Sequence, residues 1–114
     1  MAKLPEETTK TINNLKQQSL EIVDEATAVE LTIFERFGET QTTLSYMDEM
    51  KSVGDEATSS FSRLSTLQLQ IAQAQPTAST DILQLLAQTI ARTKARLTAL
   101  ERSIQEVKME FNLP

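Results

Sequence analysis

The chain contains neither cysteine nor histidine among its 114 residues. Without cysteine there is no disulfide framework and no thiol chemistry, which favours a reducing compartment. Without histidine the chain lacks the side chain that most often moves protons near neutral pH and most often binds metal ions. Both absences argue against a metal site and against acid–base catalysis.

Residues that break helices are also scarce, because there are only two glycines and three prolines. Pro5 suits the first turn of a helix, and Gly38 suits the position just past a helix end. Pro76 cannot lie inside a helix, so the polar segment 75–80 is interpreted as a loop. Gly54 falls off the apolar seam of its segment and is interpreted as a glycine tolerated within a helix.

Long apolar runs are missing as well. No stretch approaches the roughly 18 apolar residues of a membrane-spanning helix, and the start of the chain lacks the apolar core of a signal peptide. The net charge is −5, and an acidic chain repels phosphate backbones and anionic lipid surfaces. We therefore expect a cytoplasmic protein with no nucleic-acid binding and no membrane insertion.

The apolar residues that are present follow helical spacing, most clearly between Asp81 and Phe111. A heptad register held over several repeats is typical of a helix that packs against other helices. The a positions of this segment are Leu83, Ile90, Leu97, Ile104 and Phe111, and the d positions are Leu86, Thr93, Leu100 and Val107.

Two earlier segments carry the same kind of seam. The first consists of Ile12, Leu15, Ser19, Ile22, Ala26, Val29 and Ile33, and the second of Thr43, Tyr46, Met50, Val53, Ala57, Ser60, Leu64, Leu67, Ile71 and Ala74. The register shifts between them at Gly38. The chain either reverses there or continues as one long helix that absorbs a stutter.

These segments predict one all-α domain over residues 1–114, with helices at about 5–37, 39–75 and 81–112. Each helix would be about 50 Å long. Matched lengths favour an antiparallel up-down-up three-helix bundle with coiled-coil-like packing. The alternative is a long helical hairpin that forms an intertwined dimer, because a continuous first helix would leave half of its seam without an intramolecular partner.

No group of residues predicts catalysis. The acidic pairs at 24–25, 48–49 and 55–56 lie off the seams and are interpreted as solvated faces rather than as metal ligands. No hydroxyl residue has a recognisable general-base partner, and the two glycines do not form a phosphate-binding loop. We therefore predict that the protein is not an enzyme and has no cofactor, no metal and no small-molecule substrate.

Charge is distributed unevenly along the chain. Residues 5–37 hold three basic and seven acidic residues, 39–75 hold two and five, and 80–114 hold five and four. Arg92, Lys94 and Arg96 form a possible patch for an acidic partner. The alternative is that the cationic third helix complements the two acidic helices within the fold.

The first helix carries a second apolar stripe, separate from its core stripe. A reversal at Gly38 would bring residues of the second helix beside it, and an exposed apolar patch usually marks an interface. The alternative is that a wide groove between the helices absorbs the stripe. The predicted interface consists of Leu20, Val23, Thr27, Leu31, Phe34, Leu44 and Met47.

These patterns predict a non-catalytic helical module for protein–protein interaction or self-assembly, with a homodimer favoured. The alternative function is a small acidic regulator or chaperone that exchanges helices with a client protein. That alternative depends on small and hydroxyl residues that thin the predicted core, namely Ser19, Ala26, Thr43, Ala57, Ser60, Ala74 and Thr93.

Overall fold

The computed structural model describes residues 4–114, so residues 1–3 of the predicted domain lie outside it. It contains three α-helices and, within that range, no strand. They are α1 at Glu6–Phe37, α2 at Gln41–Gln73 and α3 at Thr80–Glu110. The all-α three-helix bundle predicted from the seams is confirmed.

The direction of each helix follows from the side-chain contacts between helices. These contacts are Lys16–Gln68, Glu30–Lys51, Gln18–Glu101, Glu25–Lys108 and Phe37–Phe111. Contacts of α1 with α2 join early residues to late ones, so these two helices are antiparallel. In the contacts of α1 with α3 the residue numbers of the two helices increase together, so α3 runs parallel to α1. The bundle measures 56 × 19 × 17 Å, about one helix length by two helix widths.

The reversal between α1 and α2 is made at Gly38, which has φ 70° and ψ −167°. This backbone conformation is essentially restricted to glycine. The Gly38 N–H donates to the Phe34 carbonyl at 3.0 Å. Thr40 and Thr43 then form a capping box, since each hydroxyl accepts from the backbone N–H of the other residue, at 3.1 and 2.7 Å. The chain therefore turns back here and does not continue as one long helix.

The predicted core seams of α1 and α2 are buried almost throughout. All seven seam residues of α1 are buried, and in the second seam only Tyr46 and Ala74, which directly follows α2, are half-buried. Ala26 and Ala57 are buried with almost no exposed surface. Because these side chains are small, α1 and α2 approach each other more closely than either approaches α3.

The predicted register of α3 is wrong near the start of the helix. Leu83 is 41% exposed and Ile90 is half-buried, whereas Thr89 is buried. A straight helix drifts by roughly 20° per heptad against a strict seven-residue repeat. The register fits the middle of α3, so this drift turns Leu83 and Ile90 away from the core and brings Thr89 towards it.

The two glycines are expected to respond to alanine in opposite directions. Gly38→Ala should lower the free energy of unfolding by about 1–3 kcal/mol, because alanine does not tolerate this backbone conformation. Gly54→Ala should raise it by about 0.5–1 kcal/mol, because Gly54 is inside α2 and an added methyl group meets no atom within 4 Å. Urea denaturation measures both. Unchanged stability in Gly38→Ala would contradict the assigned turn, and a stability loss in Gly54→Ala would contradict the open space around Gly54.

Candidate functional site

An apolar groove lies on the outer face of the α1–α2 hairpin, close to the turn. We call it the corner groove; its volume is about 410 Å³. Leu31, Phe34 and Leu44 line it with 56%, 48% and 43% of their surface exposed, and Met47 is only 7% exposed. The complete lining is Thr27, Glu30, Leu31, Phe34, Glu39, Leu44, Met47, Asp48 and Lys51.

Local sequence accounts for the groove. Thr27, Leu31 and Phe34 follow each other at helical spacing of four and three residues, so they lie on one face of α1. The reversal at Gly38 places the first turns of α2 beside that face, including Leu44. The groove therefore depends on the helical spacing of these residues in α1 and on the reversal of the chain at Gly38.

Five of the seven residues of the predicted interface line this groove. Met47 is one of them, but its side chain belongs to the buried core rather than to the exposed surface. Leu20 is exposed and lies eleven residues, about three helical turns, before Leu31 on the same face of α1. Val23 is half-buried and packs against the core. Leu20 and Val23 thus extend the apolar stripe beyond the groove.

The charges that line the groove are mainly acidic. Glu39 and Asp48 line it, and among residues 4–114 neither has an ion-pair partner. Lys51 is the one basic residue in the lining, and its Nζ lies 3.9 Å from an oxygen of Glu30 on the other helix. The groove therefore combines an apolar surface with an excess of negative charge.

The outer groove between α1 and α2 is covered at the end away from the turn at Gly38. Lys16 Nζ lies 5.0 Å from the centroid of the Phe61 ring, a cation–π distance, and donates to Gln68 Oε1 at 3.0 Å. These contacts place the Lys16 side chain across the outer groove, from α1 to α2. The apolar surface that remains open runs from Leu20 towards the turn.

An aromatic cluster joins all three helices at the turn end of the bundle. The Phe111 ring lies 5.2 Å from that of Phe37 and 5.0 Å from that of Tyr46, the latter edge to face. Such pairs add stabilisation beyond the area that they bury. Sequence reasoning placed Phe111 on the seam of α3 but did not anticipate the cluster. The aromatic cluster holds the three helices together at the end of the bundle where the α1–α2 turn lies.

The structure separates Lys94 from the other two residues of the predicted basic patch. Arg96 makes a two-point contact with Glu56 of α2, from Nε at 2.5 Å and from Nη2 at 2.9 Å. Arg92 lines the same α2–α3 cleft, whereas Lys94 lines a separate groove between α1 and α3. The side chains do not form one continuous surface, and Arg96 is used within the fold.

Sequence reasoning missed the groove between α1 and α3 that Lys94 lines. It lies at the opposite end of the bundle from the corner groove. Its volume is about 460 Å³, and its apolar lining includes Leu4, Leu83, Leu86 and Ile90. It exists because the start of α3 rotates Leu83 out of the core. In the predicted register Leu83 and Leu86 both lie on the seam of α3. The sequence does not reveal the drift that turns Leu83 outward, so it contained no signal of this groove. The groove borders Leu4, the first residue described.

Within residues 4–114, no group of three or more Asp or Glu side chains is arranged to hold a metal ion. None of the described helices combines the length and the apolarity needed to cross a membrane. Comparison with protein-family models, with curated proteins and with solved structures gave no match to this chain.

The Glu56–Arg96 pair predicts a pH-dependent contribution to stability. The hydrogen bond from Arg96 lowers the pKa of the Glu56 carboxyl below its ordinary 4.5. A carboxyl whose pKa is lowered by folding stabilises the fold above its unfolded pKa, and this contribution is lost as the pH falls through the folded pKa. Wild type should therefore resist urea slightly better than Glu56→Gln near pH 7, and the two should converge below the folded pKa.

Glu49→Gln is the matched control for that comparison. Glu49 is also exposed on α2 but has no ion-pair partner in the described part of the chain. Its removal should give no stability loss at neutral pH that disappears in acid. Equal unfolding of wild type and Glu56→Gln at pH 7 would show that the pair contributes nothing, as some exposed pairs do.

Proposed function

We propose that this protein is a non-catalytic helical interaction module that binds a protein partner at the corner groove. The observation that carries the proposal is the contiguous exposure of Leu31, Phe34 and Leu44 around one groove. Exposed apolar patches rimmed by polar residues mark interaction sites on soluble proteins. A groove between two helices is the usual docking site for the apolar face of a third helix.

The proposed partner is a helix, either from another protein or from a second copy that forms a homodimer. The proposal assigns no catalytic step and no cofactor, because the chain has no histidine and no cysteine. It assigns no nucleic-acid partner, because the net charge of −5 opposes binding to phosphate backbones. The cytoplasm is the proposed location, supported by the absence of cysteine.

The double substitution Leu31→Glu/Phe34→Glu tests the proposal. Both side chains are about half exposed, so the variant should stay folded while two charges enter the apolar groove. Wild type should take up the neutral dye Nile red or self-associate, and the variant should lose most of that signal. Dye fluorescence and light scattering coupled to size exclusion measure the two properties, with circular dichroism as the check on folding.

Leu69→Glu provides the control, since Leu69 is 62% exposed on α2 and does not line the corner groove. It should behave like wild type in both measurements. A monomeric wild type that takes up no dye would contradict the proposal, and so would a loss of signal in Leu69→Glu as large as in the double variant.

The second candidate function is the acidic regulator or chaperone that exchanges helices with a client. It is favoured by the packing of α3, which approaches α1 and α2 less closely than they approach each other. Thr89 and Thr93 are hydroxyl residues buried in α3 where larger apolar side chains would bury more surface. Less favourable burial of α3 would allow it to leave the α1–α2 hairpin.

Amide hydrogen exchange tests this candidate. If α3 detaches as a unit, its amides around Thr93 should exchange at least about tenfold faster than those around Leu64 in the middle of α2. The reason is that opening α3 exposes its backbone while the hairpin stays paired. Uniform protection in the middle of all three helices would count against helix exchange and leave the corner groove as the functional feature.

A further inference from the structure

We propose that the occupant of the corner groove is a cationic amphipathic helix of another protein, which lies along the outer face of α1 and α2. With it bound, the three-helix bundle becomes a four-helix bundle. This inference rests on the proposed function and specifies the chemistry of the partner. Its support comes from the length of the open apolar face, from the charges beside it, and from the way the same hairpin already holds α3.

The open apolar face has the dimensions of a helix-binding site. It extends along α1 from Leu20 to Phe34, fourteen residues or about 21 Å. Lys16 and Phe61 cover the seam beyond Leu20, and the turn at Gly38 ends it on the other side. An occupant of four to five turns, about 14–18 residues, would match this length.

The residues at the bottom of this apolar face are small enough for another helix to approach closely. Thr27 lines the groove from α1, and Gly54 follows Met47 by seven residues, two helical turns, on the same face of α2. A methyl group built on Gly54 would meet no atom within 4 Å, so the space above it is open. Small residues at a helix contact let another helix backbone come close, and the face is therefore shaped for a helix rather than for a flat surface.

Acidic residues stand on both sides of the apolar face. On α1, Asp24 and Glu35 lie seven residues before and four residues after Leu31, and both are exposed. On α2, Asp48 lines the groove, and Asp55 follows it two turns later and is also exposed. Lys51, the one basic residue in the lining, is paired with Glu30. An apolar strip with carboxylates on both sides is complementary to a helix whose apolar stripe is flanked by Lys or Arg.

The inner face of the hairpin already binds a helix of this kind. Of the three helices, α3 is the one with more basic than acidic residues, five against four between Thr80 and Glu110. Lys108 pairs with Glu25 of α1 at 2.6 Å, and Arg96 pairs with Glu56 of α2. The acidic α1–α2 hairpin thus selects a cationic helix inside the fold, and its outer face presents the same combination of charge and apolar surface.

A second copy of the chain fits the groove less well. Two copies that docked through this face would bring their acidic rows together, and like charges across an interface oppose binding. Two of the five basic residues of α3, Arg96 and Lys108, are already paired within their own fold. The charges therefore favour a different protein with a basic helix over a homodimer.

The test uses two synthetic peptides of 18 residues and the intact protein. Both peptides carry the same leucine stripe at helical spacing; one has lysine and the other glutamate at every flanking position. Fluorescence anisotropy of labelled peptides should show at least about tenfold tighter binding of the lysine peptide at low ionic strength. Added salt should weaken this binding, because exposed charges are screened.

Variants of the protein locate the binding. Asp24→Lys/Asp48→Lys reverses one carboxylate on each side of the groove and should weaken the lysine peptide about tenfold. Glu106→Lys/Glu110→Lys makes the same change in net charge at exposed positions of α3, and it should change binding no more than about twofold. Leu31→Gln/Phe34→Gln removes apolar surface from the groove without adding charge, and it should remove the apolar contribution to binding of the peptide.

The possible results separate this inference from the proposed function. Equal binding of the two peptides, or no effect of Asp24→Lys/Asp48→Lys, together with loss of binding in Leu31→Gln/Phe34→Gln, would overturn the cationic partner but keep the groove as a binding site. A wild-type dimer that Leu31→Glu/Phe34→Glu dissociates would identify a second copy as the occupant and overturn this inference. Insensitivity of every peptide to Leu31→Gln/Phe34→Gln, and of the oligomeric state to Leu31→Glu/Phe34→Glu, would overturn both.

Discussion

The reversal of the backbone at Gly38 is the constraint on which the rest of the structure depends. Glycine provides a conformation that other residues avoid, and the Thr40–Thr43 capping box starts the next helix immediately. Because the connection is so short, α1 and α2 must lie antiparallel and in contact from their first shared turn. The buried seams, the binding of α3 and the corner groove are all consequences of this hairpin.

The hairpin has more apolar surface than α3 covers. Its inner face buries the regular seams of α1 and α2 around residues such as Ile33 and Leu64, while Leu31, Phe34 and Leu44 remain on the outer face. About half of each of these side chains is still exposed, so burying the rest would be worth about 1 kcal/mol each, since full burial is worth roughly 1.5–3 kcal/mol. Exposing three of them beside one groove is unfavourable for an isolated bundle, and binding of a partner helix would recover part of that free energy.

Electrostatics contributes to the way in which the α1–α2 hairpin holds α3. Both α1 and α2 carry more acidic than basic residues, and α3 reduces that excess on one side through Arg96 and Lys108. The Glu56–Arg96 pair is exposed and individually weak, whereas the Glu25–Lys108 pair is half-buried. The apolar seams supply most of the stabilisation.

The sequence by itself determined the three helices, their approximate limits and the core seams of α1 and α2, because helix periodicity and the positions of Gly38 and Pro76 are local properties. It also determined that Leu31 and Phe34 lie off the core stripe of α1. The matched helix lengths favoured a reversal at Gly38, but only the tertiary structure decided it, since the shift of register at that residue is also compatible with a stutter. Four further features likewise depend on how the helices rotate against each other. They are the exposure of Leu83, the separation of Lys94 from Arg96, the burial of Met47 and the aromatic contacts of Phe111. The physical reason is that a helical pattern defines which residues share a face, while the angle of that face towards its neighbours is set by packing among residues distant in sequence.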